Sequence, residues 1–230
     1  MGVGGHQLHG LRGGAGDVGV VAIDGPSGSG KSTVARALAG RLGRAYLDTG
    51  AMYRAVAFAA LRRGLDPADA DDVARVASTL ELSVSDDGVM VDGVDATIEI
   101  RGPEVTRAVS AVASNSEVRR ELVRRQREWV STHGGEAVVE GRDIGTVVFP
   151  DADLKVFFTA RLDVRAGRRH REVAELDYEA VAADMARRDT VDTERRADPL
   201  AMAEGAVLVD TSDRSVEEIV DDLAARLSAG

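Results

Sequence analysis

The chain has 230 residues, 44% of them hydrophobic, and a formal net charge of -10 at pH 7. That length fits one α/β domain with room for a small insert, and the apolar share suffices for a sizeable core. The acidic balance excludes broad binding to nucleic acid or anionic membranes, the absence of cysteine excludes disulfides and cysteine metal sites, and no apolar run approaches the roughly 18 residues that span a bilayer.

Met1 to Asp17 is Gly-rich, without apolar periodicity or a signal-type apolar stretch, which predicts a disordered leader over residues 1–17 and a cytoplasmic protein. Val18 to Ile23 is a short apolar run of the kind that forms a strand buried on both faces. After a Gly-rich loop, Ser32 to Leu42 carries Val34, Leu38 and Leu42 at helical spacing. Ala51 to Arg63 reads as a second helix stopped by Gly64. Leu80, Leu82 and Val84 then alternate with polar residues up to Asp86-Asp87-Gly88, and Val89 and Val91 alternate up to Asp92-Gly93. Those turns predict a three-stranded antiparallel meander with Ala96 to Ile100 as its third strand, inside an insert spanning about residues 65–105.

Helical spacing returns at Glu117 to Thr132, with Val118, Leu122 and Trp129 on one side. Ala137 to Glu140, Leu154 to Thr159 and Ala206 to Val209 are further short apolar runs. Ser215 and Glu218 make a capping-box pattern ahead of Ile219, Val220, Leu223 and Leu227, which predicts a last helix. Strands alternating with helices imply a largely parallel sheet covered on both faces, over residues 18–64 and 106–227.

Gly25-Pro26-Ser27-Gly28-Ser29-Gly30-Lys31-Ser32 matches G-x-x-x-x-G-K-[ST] between a predicted strand and a predicted helix. Its glycines let backbone N–H groups converge on phosphate oxygens, and the following helix adds the positive end of its dipole. Lys31 supplies a point charge to the β- and γ-phosphates of ATP, Ser32 a ligand for Mg²⁺, and Thr33 continues the same turn. Among 29 basic residues only Lys31 and Lys155 are lysines, so Lys31 stands out. The pattern establishes nucleotide binding; the reaction needs further residues.

Those residues are Asp48-Thr49-Gly50-Ala51-Met52-Tyr53-Arg54, Gly141-Arg142-Asp143 and Asp192-Thr193-Glu194-Arg195. Together with the phosphate loop, they closely resemble the bacterial cytidylate kinases, nucleoside monophosphate kinases that phosphorylate CMP and dCMP from ATP. The resemblance runs from Val18 to Leu227. It implies a P-loop core of five parallel strands flanked by helices, an enlarged antiparallel acceptor-binding insert, and a short lid within Arg165 to Asp177 carrying Arg168 toward ATP. It implies that Thr49, Arg125 and Asp143 meet the cytosine, and that Arg54, Arg142 and Arg195 hold the acceptor phosphate. Arg188 and Asp192 would meet the sugar, with Lys31, Arg142 and Arg188 assisting transfer. Tyr53 falls within the acceptor motif, although its setting also suits packing. The other arginines of the Glu117–Thr132 helix, Arg119, Arg120, Arg124 and Arg127, read as a solvated basic stripe. A monomer is expected.

The rival readings meet contrary signals. A shikimate-type kinase carries a second aspartate after the second strand, where this chain has Thr49-Gly50. A regulatory GTPase needs a guanine-reading N-K-x-D, and a motor ATPase an apolar run ending in Asp-Glu; neither occurs. A non-catalytic nucleotide sensor has no need of Lys31 and Ser32.

Overall fold

The computed structural model describes residues 19–85, 87–172 and 177–229. The predicted leader, Asp86 of the predicted turn, and residues 173–176 of the predicted lid lie outside them. In chain order the elements are β1 (Val20–Asp24), α1 (Lys31–Leu42), β2 (Ala45–Asp48), α2 (Thr49–Arg62), α3 (Ala70–Thr79), β3 (Leu82–Ser85), β4 (Gly88–Val91) and β5 (Val94–Asp95). They continue with α4 (Pro103–Ser114), α5 (Ser116–Thr132), β6 (Ala137–Gly141), β7 (Leu154–Thr159), α6 (Leu162–Glu172), α7 (Tyr178–Glu194), β8 (Val207–Asp210) and α8 (Val216–Ala229).

Five strands form a parallel sheet in the order β2-β6-β1-β7-β8, and β3-β4-β5 form a separate antiparallel sheet. The alternation of β1 explains the layering. Val20 and Ala22 point into a core shared with α2, α3, α4 and α5, whereas Val21 and Ile23 point into a second core under α1 and α8. All five β1 residues are buried, as an apolar run between two helical layers requires. Val89 and Val91 of the small sheet belong to the first core, so the antiparallel unit packs onto α2 and does not hang free. No helix among the described residues is long and apolar enough to cross a membrane.

The third strand of the meander is not the expected Ala96 to Ile100 but lies just before it, at Val94–Asp95. Only Val94 and Asp95 pair with β4, and Glu99–Arg101 forms a 3₁₀ turn. Ala96 and Ile100 are buried while Ile98 is 81% exposed, and the Ile100 amide bonds to the Ala96 carbonyl at 2.9 Å. Burial four residues apart with the residue midway in solvent is helical, whereas a strand would put all three on one face. Helices α3 and α4 add two elements to this region. Val73, Val76 and Ala77, and then Val105, Val109 and Val112, supply their apolar stripes; Asp69 caps the first, and Pro103 opens the second.

Arg125 and Trp129 on α5 reach the antiparallel unit. Arg125 donates to the carbonyls of Leu80 (2.7 Å) and Ser78 (3.3 Å), and Trp129 Nε1 to that of Val84 (3.0 Å). Arg125 also pairs with Glu121 at 2.7 Å. Three donors from one helix face thus strap β3 and the end of α3 to α5. Arg125→Ala is expected to lower the unfolding free energy by about 2 kcal/mol, the scale of charged hydrogen bonds to carbonyls. Urea titration measures this, and a variant as stable as wild type would refute the strap.

Candidate active site

The C-terminal ends of β1, β2, β6 and β8 converge on one cavity of about 860 Å³. This is where open α/β sheets present ligands, because the strand ends and helix N-termini leave backbone groups unpaired. On its donor side lie Ser27, Gly28, Gly30, Lys31, Ser32, Thr33 and Arg168. Gly25, Pro26 and Ser29 shape the loop from beneath: Ser29 Oγ donates to the Pro26 carbonyl at 3.0 Å, and Gly25 has φ +147°. A Cβ on Gly25 would sit 2.4 Å from the Phe158 carbonyl oxygen, so only glycine lets β1 turn here. Helix α1 begins after Gly30 with no side-chain cap, which leaves its first-turn amides available to an anion.

Lys31 is buried and donates to the Pro26 carbonyl at 2.7 Å. Burial, and then the nearby Arg142, lower its pKa to about 7, against the pull of Glu140 and Asp24. A polyanion would reverse that destabilisation of the charged form. From α6, Arg165 donates to the Ser27 carbonyl (3.1 Å) and pairs with Asp189 (2.6 Å). Arg168 donates to Thr211 Oγ1 (3.0 Å) and to the Thr211 carbonyl (2.6 Å).

The opposite side gathers Thr49, Tyr53, Arg54, Arg142, Asp143, Arg188, Asp192 and Arg195. Asp48 caps α2 by accepting from the Ala51 amide, which fixes the turn bearing Thr49, Tyr53 and Arg54. Thr49 Oγ1 donates to the Glu140 carbonyl at 2.6 Å. Arg54 donates to Thr106 Oγ1 (2.9 Å) and the Ile100 carbonyl (3.2 Å); burial, Arg188 and Arg169 lower its pKa to about 9. Arg142 Nε pairs with Asp192 at 2.8 Å, and burial followed by Arg142 lowers Arg188 as well. Arg195 Nη2 is buried with no hydrogen-bond partner among the described residues. This half of the cavity is a cluster of desolvated guanidinium groups with too few carboxylates to neutralise it.

Arg125 is absent from the cavity, because its guanidinium is spent on the strap to β3. Arg119, six residues earlier on α5, lines the cavity instead. Its side chain is 2% exposed and pairs with Asp143 and with Asp198 (2.7 Å). The basic-stripe reading fails for Arg119 on periodicity: Arg119, Leu122, Gln126 and Val130 share the buried face of α5. Counting from the apolar stripe, rather than from the run of arginines, would have found it. Glu140 and Asp24 were also missed, because each ends an apolar strand run and reads there as a strand boundary.

Glu140 is buried, accepts from Tyr46 Oη, and stands beside Ser32; burial and then Asp48 push its carboxyl up, opposed by Lys31. Asp24, 3% exposed, accepts from the amides of Ile144 and Gly145, each at 2.8 Å. One carboxylate therefore joins the root of the phosphate loop to the residues that follow Arg142 and Asp143.

A family model described as cytidylate kinase matches residues 21–229. A cytidylate kinase of Mycobacterium avium is 53% identical over 212 residues, covering 89% of this chain and 92% of the relative. One of Corynebacterium glutamicum is 50% identical over 212 residues with the same coverage. A crystal structure of an uncharacterized protein from Eubacterium ventriosum has a TM-score of 0.52 at 13% identity, covering 92% of this chain and 99% of that one, which reports the fold alone.

Burial raises Asp24 to a pKa of about 6, opposed by its two amide bonds, raised slightly further by Asp143 and lowered by Lys31. The folded protein then binds a proton that the unfolded chain, near pKa 3.8, has already lost. Stability from this group is complete below pH 4 and is lost as pH rises through 6, by about 3 kcal/mol at 1.36 kcal/mol per unit. Asp24→Asn cannot titrate. The difference in unfolding free energy, wild type minus variant, is expected to fall by most of that amount, about 2.4 kcal/mol, between pH 4 and pH 7. A difference independent of pH would show that Asp24 titrates normally.

Proposed function

The chain belongs to the cytidylate kinase family and is a nucleoside monophosphate kinase that phosphorylates CMP; from that premise we propose how its own residues divide the work. The observation that carries the proposal is one cavity with two halves, a phosphate loop facing an arginine cluster across Lys31 and Arg142. ATP takes the first half. The glycine-loop amides, the uncapped start of α1 and Lys31 hold its phosphates, and Arg168 lies over the loop at Thr211. Mg²⁺ fits here: the Ser32 hydroxyl stands beside the buried Glu140 carboxyl, which burial and then Asp48 push up, and a cation bound there would favour its ionised form. Bound with ATP, Mg²⁺ would neutralise phosphate charge.

CMP takes the second half. Arg54, Arg142 and Arg195 hold its phosphate, a role supported by the depressed pKa of Arg54 and by Arg195 Nη2, which makes no hydrogen bond among the described residues. Arg188 and Asp192 meet the sugar, and Thr49, Asp143 and Arg119 meet the base. The CMP phosphate is already anionic and needs no base to attack. What opposes transfer is repulsion between polyanions, which the arginines and Lys31 offset while holding the oxygens in line. The proposal keeps residues 65–105 as the acceptor-binding insert and Arg165 to Asp177 as a lid, supported by the contacts of α6 with Ser27 and Thr211. It also keeps dCMP as an alternative acceptor, a monomeric state and a cytoplasmic location.

Lys31→Ala is expected to fold normally and lose about 10² to 10³ in kcat, the cost of one electrostatic donor to developing charge. Near-normal turnover would remove the phosphate-loop mechanism.

Base choice is tested at Asp143. Cytosine presents an amino donor where uracil presents an acceptor, and a carboxylate only accepts. In a panel of monophosphates with ATP and Mg²⁺, followed by ADP release, wild type should prefer CMP. Asp143→Asn should narrow the CMP-to-UMP ratio of kcat/KM by at least about tenfold. A loss shared equally by both substrates would mean that Asp143 serves only to neutralise Arg119.

A further inference from the structure

Asp198 follows the segment that carries Arg188, Asp192 and Arg195, and no role above requires it. Its carboxylate accepts from Arg119 Nε at 2.7 Å, and its own backbone carbonyl accepts from Arg195 Nε at 2.7 Å. One residue thus engages two cavity arginines, one from α5 and one from the end of α7. Both contacts are made at Nε, the inner nitrogen of the guanidinium. One outer nitrogen of each faces Asp143: Arg119 Nη2 bonds its Oδ2, and Arg195 Nη2 lies 3.9 Å from its Oδ1, while Arg119 Nη1 donates to the Ala113 carbonyl at 3.2 Å.

The backbone points the same way. Asp198 has φ +49°, a left-handed conformation uncommon for a residue with a side chain, and it precedes Pro199, which disfavours helical geometry in the residue before it. The turn is pinned beyond the proline by the Leu200 amide on the Asp192 carbonyl at 2.8 Å. A strained residue persists where its surroundings over-determine it. Here the surroundings are two buried arginines, whose side chains are 2% and 4% exposed.

We propose that Asp198 is a positioning residue for the acceptor half-site, holding Arg119 and Arg195 by their inner nitrogens so that Asp143 keeps one carboxylate oxygen free for the base. Without it, Arg119 has Asp143 as its remaining carboxylate partner, and its fork turns to engage both oxygens. The inference rests on the reading of this half-cavity as the CMP site.

Two substitutions separate positioning from scaffolding. Asp198→Gly tolerates the left-handed turn and removes the carboxylate; Asp198→Asn keeps an acceptor oxygen and removes the charge. For Asp198→Gly the expected result is a protein that still folds, a KM for ATP within about twofold, and kcat/KM for CMP down about 10- to 100-fold. The CMP-to-UMP ratio should narrow with it. Asp198→Asn should recover most of the loss, remaining about three- to tenfold below wild type.

A Gly variant with wild-type CMP efficiency, or one that loses ATP and CMP efficiency together, overturns the inference. Should that variant not fold, Asp198→Asn decides by calorimetric titration with CMP. Affinity reduced at least about threefold supports the role, and unchanged affinity overturns it. A wild-type enzyme that releases no ADP with CMP would instead overturn the site assignment, while an active wild type beside an unaffected variant removes only the role of Asp198.

Discussion

Burying a guanidinium group is costly unless a carboxylate meets it, and this structure buries several around one cavity. Arg119 has Asp143 and Asp198, Arg142 has Asp192, and Arg165 has Asp189. Among the described residues Arg54 is held by a hydroxyl and a carbonyl, and Arg195 Nη2 makes no hydrogen bond, standing 3.9 Å from Asp143 Oδ1. The protein therefore carries an excess of buried positive charge at one place while its net charge is -10. Such an arrangement is stable only because carboxylates fix most of the arginines in position, and it is completed by anions. An acidic chain thus keeps a local site for phosphorylated ligands through an uneven distribution of charge.

Phosphoryl transfer depends on distance and alignment between two ligands bound by different elements. In the proposed division the donor half belongs to the loop after β1, and the acceptor half draws on α2, on the residues after β6, and on α7 and its end. These strands are neighbours in register, Asp24 opposite Gly141. The Asp24 carboxylate reaches across the register to the amides of Ile144 and Gly145. Gly141 lies beneath this junction, where a Cβ would come within 2.7 Å of both Thr49 Oγ1 and Ile144 Cδ1. The relative placement of the two halves is thus set by backbone pairing and one buried carboxylate, on two buried interior strands of the sheet. The antiparallel unit is attached differently, by the shared apolar core and by Arg125 and Trp129, which ties it to the helix that also carries Arg119.

Much of this was legible in the amino-acid sequence, for local reasons. The phosphate loop is contiguous, so its glycines, Lys31 and Ser32 are visible as a string. Apolar runs reveal buried strands, since a strand between two helical layers must be apolar on both faces. The capping box at Ser215 and Glu218 forms as read, with the Ser215 amide on Glu218 at 2.8 Å and the Glu218 amide on Ser215 Oγ at 3.2 Å. Family motifs located Arg54, Arg142, Asp143, Arg188, Asp192 and Arg195, all of which line the cavity.

Tertiary structure decided the matters in which sequence neighbours are equivalent. Arg119 and Arg125 are the same residue type on one helix, and only the packing of α5 sends one to Asp143 and the other to the Leu80 carbonyl. Ala96 to Ile100 alternates like a strand, yet the chain turns there because Ala96 and Ile100 find a common core that Ile98 does not share. Asp24 and Asp198 look like a strand end and a loop residue. Their meaning lies in partners more than 70 residues away: Ile144 and Gly145 for the first, Arg119 for the second. A sequence determines which local structures are favourable through short-range sterics and periodicity. Which buried charge meets which partner is fixed only when distant segments are brought together, because the desolvation cost that selects the pairing does not exist until the core closes.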